Sequence, residues 1–106
     1  MSTITVTVRQ GDILFIRRDR VPAKSSRVAD GVIARGTATG HTHALRESPK
    51  VRLVRDSNGT MFVVVARGSE GSIDHQEHAT VTLSHGTWEI RRQSEETPEG
   101  LRRVED

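Results

Sequence analysis

The strongest constraint on this chain is the rhythm of its apolar residues, which recur at every second position in short runs and nowhere sustain a helical spacing. Residues 3–8 read Thr-Ile-Thr-Val-Thr-Val, so an extended chain puts Ile4, Val6 and Val8 on one face. Ala79, Val81 and Leu83 alternate with Thr80 and Thr82, and Trp88 and Ile90 share a face of a last strand. Gly11-Asp12 opens the unbroken run Ile13-Leu14-Phe15-Ile16, expected to be a strand buried on both faces. Residues 51–54 and 61–65 flank Asp56-Ser57-Asn58-Gly59, which predicts a hairpin whose Asn-Gly pair tolerates positive φ. Residues 17–27, with Pro22 and a Ser-Ser pair, read as a loop, and Asp30-Gly31 and Ser84-His85-Gly86 read as turns.

This pattern predicts an all-β fold, a small single-domain barrel or sandwich of about seven or eight short strands. The β domain is expected over residues 1–93. Residues 94–106 change character: Ser94-Glu95-Glu96-Thr97-Pro98-Glu99-Gly100 offers no apolar anchor, and a polar C-terminal tail or a short helical turn pairing Leu101 with Val104 is expected there.

With 106 residues there is room for one core, and two Phe, one Trp and no Tyr leave Val, Ile and Leu to build it. The absence of cysteine excludes a disulfide scaffold, a cysteine zinc finger, an iron–sulfur cluster and thiol catalysis. A net charge of +2, from 16 basic and 14 acidic residues, gives little long-range attraction to nucleic acid. The N-terminal residues lack the layout of a signal peptide and no apolar run reaches membrane-spanning length, so a cytoplasmic, non-membrane protein is expected.

The chemistry concentrates in histidine. Four of the five histidines fall in two pairs, His41-Thr42-His43 and His75-Gln76-Glu77-His78. In a strand, i and i+2 project from one face, so two imidazoles can converge on one ion, and Leu45 on the same face points the pair toward an apolar interior. Positions i and i+3 converge only if the segment turns. Drawn together, His41, His43, His75 and His78 make a nitrogen-rich site for a divalent metal, with zinc preferred and nickel or iron behind it. Glu77 and Glu47 are the candidate catalytic carboxylates, and Asp74 is a further ligand or supporting partner. The ligand form is the neutral imidazole, so such a site weakens below about pH 6. His85 reads as an exposed turn residue.

His41, His43 and Glu47 also fit the His-x-His-then-Glu spacing of the cupins, a partial likeness. The usual upstream glycine interval is off by one and the second cupin motif is missing. A broader resemblance runs through Arg9-Gln10-Gly11-Asp12, Gly40-His41-Thr42-His43, His75-Gln76-Glu77-His78, residues 83–93 and Arg102-Arg103-Val104. These resemble a family of small uncharacterised bacterial and phage proteins with the pattern RQGD…GHxH…HxEH…LPxGxYxVxxQRE…RRVxD. Here Ser84-His85 stands where Pro is common and Trp88 where Tyr is common. The resemblance singles out the same four histidines and implies no activity.

No phosphate loop follows Gly36-x-x-x-Gly40, and sequence neighbours such as Ser84 and His85 cannot form a nucleophile pair. The reading is therefore a metal-binding β protein. Three protein ligands would suit metal-assisted hydrolysis, whereas four would make a structural site in a non-catalytic adaptor or assembly subunit. Whether the protein is an enzyme stays open. Homo-oligomerisation is expected only as a common habit of small β domains. A nucleic-acid module built on Arg17, Arg18, Arg20, Arg91, Arg92, Arg102 and Arg103 is less favoured, since so few aromatics leave no stacking platform.

Overall fold

The computed structural model describes residues 6–35, 40–97 and 100–103. Two antiparallel sheets account for ten strands. The larger contains β1 (Thr7–Gln10), β2 (Ile13–Arg18), β3 (Ser25–Arg27), β6 (Val51–Asp56), β7 (Met61–Val65) and β10 (Gly86–Arg92), in the order β1-β2-β10-β7-β6-β3. The smaller contains β4 (Val32–Arg35), β5 (Thr42–Leu45), β8 (Gly71–Asp74) and β9 (Val81–Leu83), in the order β4-β5-β8-β9. β11 (Ser94–Thr97) and β12 (Gly100–Arg103) pair separately as a hairpin, so residues 101–103 are extended rather than helical. Val104 lies outside the described residues. The described residues include no helix long and apolar enough to cross a membrane.

The core is contributed by both sheets. Ile13, Phe15, Val51, Leu53, Val63, Val65 and Trp88 come from the larger, and Ile33, Leu45, Ile73 and Leu83 from the smaller. This is the all-β domain that the alternation predicts, with a core mainly of Val, Ile and Leu. β2 differs from expectation. Ile13 and Phe15 are fully buried while Leu14 and Ile16 are only partly so, because an antiparallel sheet with one face on the core needs apolar residues at alternate positions. Val8 packs against the core, Val6 is 45% exposed, and Ile4 lies outside the described residues.

Ten strands exceed the expected number because β3 is Ser-Ser-Arg and β8 is Gly-Ser-Ile-Asp. Neither carries an apolar alternation for the sequence to display. The absence of a side chain at Gly71 is what seats β8. A Cβ there would stand 3.1 Å from Val65 and 3.3 Å from Val51, so the smaller sheet approaches the larger here more closely than an alanine would accept unless the two valines gave way by a few tenths of an ångström. The 51–65 hairpin forms as predicted, with one refinement. Only Gly59 adopts positive φ, and Asp56 Oδ1 closes the loop by accepting the N–H groups of Asn58 and Thr60, both at 2.9 Å. The turn at Ser84 and His85 is braced by Trp88 Nε1, which donates to the Ser84 carbonyl at 3.0 Å, and by Arg17, which lies over the Trp88 ring.

On β10, burial pushes the Glu89 carboxyl up, but hydrogen bonds from Arg91 and Arg18 outweigh it and hold the group below the usual carboxylate range. A depressed folded-state pKa adds stability that is present above the unfolded value and lost as pH falls through the folded one. Glu89→Gln is expected to cost about 1 kcal/mol or less near neutral pH, since both guanidinium groups are well exposed. In urea denaturation across pH, the gap between wild type and variant should close on acidification through the folded pKa. A gap that persists into strong acid would contradict this account.

Candidate histidine centre

The antiparallel register of β5 and β8 brings the two histidine pairs together. Ala44 faces Asp74 and Leu45 faces Ile73, so continuing the ladder sets His43 opposite His75. Their ring centroids are 4.4 Å apart. After Asp74 the chain bends, and His78 comes back beside His75, with centroids 4.5 Å apart and His43 at 6.2 Å. His41 approaches His75 edge-on at 5.6 Å. The turn required for an i, i+3 pair to converge is therefore present. All four histidines of the two pairs meet in one cluster, with His43 and Leu45 buried on the same face of β5. Gln76 ties the two segments: the Thr42 N–H donates to its Oε1 at 2.9 Å. His85 stays outside the cluster, and its carbonyl accepts from Arg17.

Burial falls steadily across the centre. His43 is fully buried, the His41 side chain is 26% exposed and Glu77 is 58% exposed, with Glu77 Oε1 3.6 Å from His41 Nδ1. The cluster thus has a closed floor and a rim open to solvent.

Two residues of the floor escaped the sequence reading. Gln10 and Asp12 flank Gly11, which turns β1 into β2 at φ +58, and both are almost fully buried. Gln10 Nε2 donates to the carbonyls of Ile73 at 2.8 Å and Ala79 at 2.9 Å. Both amide hydrogens are thereby used, so its Oε1, 2.8 Å from His43 Nδ1, must accept. Hence His43 carries a proton on Nδ1, and its Nε2 lies on the opposite edge of the ring. Asp12 Oδ1 lies 3.6 Å from that Nε2, while Asp12 Oδ2 accepts from Arg92 Nε at 2.8 Å. His75 is wired the opposite way. Its Nδ1 accepts the backbone N–H groups of Glu77 at 3.0 Å and His78 at 3.2 Å. His78 Nε2 is buried and has no hydrogen-bond partner among the described residues.

The other expected carboxylates lie elsewhere or at the edge. Glu47 accepts from Arg27 at 2.7 Å and packs against Gly31, beside a groove of about 400 Å³ lined by Arg27, Val28, Asp30, Val32 and Arg55. It does not join His41 and His43 as the cupin-like spacing implies. Asp74 makes a two-pronged contact with Arg46 at 2.6 and 2.8 Å and accepts from Thr80. The Arg46 bond holds its carboxyl below the usual range. Among the described residues, no three His, Cys, Asp or Glu side chains already stand in a ligating arrangement.

The wiring of Gln10 generates a prediction. Gln10→Leu removes three hydrogen bonds, two buried and one part-buried, from two carbonyls and an imidazole N–H. It should destabilise the fold by about 3 kcal/mol or more in urea denaturation. A loss under 1 kcal/mol would mean that the amide is not the tie drawn here.

The family model described as Domain of unknown function (DUF8820) matches residues 9–93. The matched span contains the four clustered histidines together with Gln10, Asp12 and Arg92. No curated protein and no solved structure gives a significant match.

Proposed function

The chain belongs to this domain family of unknown function, and we propose that it is a metal-binding protein holding one divalent ion, zinc by preference, at the cluster of His41, His43, His75 and His78. The observation that carries the reading is the His43–Gln10 bond. A metal-ligating histidine ordinarily donates its other ring N–H to a fixed acceptor, which sets the tautomer and orients the ring. Gln10, itself locked by two carbonyls, is such an acceptor, and it fixes the His43 ring with Nδ1 toward the amide and Nε2 on the opposite edge, 3.6 Å from Asp12 Oδ1.

The donor set supports the same reading. Two imidazoles on one tetrahedral zinc have centroids about 5 Å apart, given Zn–N distances of about 2.0–2.1 Å. The centroid separations within the cluster run from 4.4 to 6.2 Å and bracket that value, with His43 and His78 standing 6.2 Å apart. A nitrogen-rich set without thiolate suits zinc, then nickel or iron. The solvent-facing rim at His41 and Glu77 gives an ion a way in, and metal-assisted hydrolysis is the reaction class that an open coordination position would serve.

The test is the metal content of untagged protein purified without chelator, measured by mass spectrometry beside a His41→Ala/His43→Ala double variant. About one metal per chain, lost in the variant, is expected. Chelation should lower the melting temperature of the wild type and leave that of the variant unmoved. Wild-type protein that carries no metal and takes up none on titration with zinc, nickel or iron would end this reading.

A further inference from the structure

We infer that the four histidines divide into two roles: His41, His43 and His78 supply the nitrogen ligands, while His75 is a positioning residue. This rests on the metal reading above and assigns the work within that site.

A ring nitrogen that accepts hydrogen bonds carries no proton. His75 Nδ1 accepts from the N–H groups of Glu77 and His78, so the neutral ring holds its proton on Nε2. One nitrogen is committed to the backbone and the other is an N–H, and neither offers a lone pair to an ion. Bonds to the backbone two and three residues onward are those of an Asx turn, in which an Asn or Asp oxygen sits where Nδ1 sits here. His75 therefore folds the 75–78 segment. That fold carries the His78 ring back to the cluster with its buried Nε2 otherwise unbonded among the described residues.

His43 has the complementary wiring, Nδ1–H outward to Gln10 and Nε2 on the far edge 3.6 Å from Asp12 Oδ1, and His41, edge-on to His75 at 5.6 Å, adds a third ring from the solvent side. Three protein nitrogens leave one position of a tetrahedral ion for an oxygen donor from solvent, a water or hydroxide. The His75 ring lies between His43 and His78, with its Nε2 buried, so it brings an N–H donor to that neighbourhood. The site is then a three-ligand centre with an exchangeable fourth position, not a closed four-histidine one.

The experiment has two arms. In chelated wild-type protein, long-range 1H–15N NMR of the imidazoles should report the Nε2–H tautomer for His75 and the Nδ1–H tautomer for His43. The reverse tautomer at His75 overturns its positioning role, whether or not metal binds. In the second arm, zinc affinity is measured by competition with a chromophoric chelator for wild type, His75→Asn, His78→Asn and His43→Gln. Because Asn can make the same two turn bonds, His75→Asn should keep one zinc, with affinity reduced by about tenfold, the low end of what losing an outer partner costs, and should match the wild-type melting temperature without metal. His78→Asn and His43→Gln should each weaken zinc binding by about 100-fold or more.

Folded His75→Asn that loses zinc as completely as His78→Asn would overturn the assignment and restore His75 as a ligand. Should the wild type bind no metal, the metal reading fails and the ligand assignment falls with it. The tautomers and the metal-free melting temperatures would then decide the turn role of His75 by themselves.

Discussion

The centre depends on the side-chain amide of Gln10. β1 belongs to the six-stranded sheet, yet this amide donates to the Ile73 carbonyl of β8 in the other sheet and to the Ala79 carbonyl beyond the histidine bend. It also accepts from His43 of β5. One residue thus joins the two sheets, fixes the path of the chain on either side of His75 and His78, and sets a tautomer. Asp12, two residues on, addresses the opposite edge of the same imidazole and is itself held by Arg92 from β10. The glycine between them turns the chain so that both side chains descend into the interior.

Such an arrangement is a costly way to hold two sheets together. Buried amides, carboxylates and imidazoles lose hydration that only well-formed partners restore, and apolar residues of similar volume often serve stability as well or better. The neighbouring core shows that this chain can do so: Ile13, Phe15, Ile73 and Leu83 pack within a few residues of the cluster. A polar floor beneath four imidazoles, in a domain whose core is otherwise apolar, is better explained by what the imidazoles must do than by the stability of the sheets.

Much of the frame was legible in the sequence because its signals are local. Alternation exposed the strands around Leu83 and Trp88, Asn58-Gly59 marked the hairpin that holds Val63, and the i, i+2 spacing placed His41 and His43 on one face. The floor was illegible for a physical reason. Gln10 and Asp12 border a glycine, and polar residues in that setting read as turn formers. Their partners lie far along the chain, 33 residues on for His43 and 80 for Arg92. Spacing carries no information about such pairs, although the resemblance through Arg9-Gln10-Gly11-Asp12 did touch them. β3 and β8 were hidden for a different reason: strands that pair through backbone groups, with few or no apolar side chains, leave no period to read. Glu47 illustrates the converse error, in which the right interval after His41 and His43 leads to a carboxylate held by Arg27 instead.

The opposed wiring of His43 and His75 follows from where each sits. His43 lies within a strand, so its backbone groups serve the ladder and its ring must find a side-chain acceptor below it. His75 lies just past the end of β8, where the N–H groups of the bend have no ladder partner, and its Nδ1 is the nearest acceptor. Two rings with centroids only 4.4 Å apart therefore hold their protons on opposite nitrogens, because one belongs to a sheet and the other to a turn. A cluster of four histidines is not equivalent to four ligands. Which of them face an ion with a lone pair is decided by the backbone that each has already been called on to satisfy.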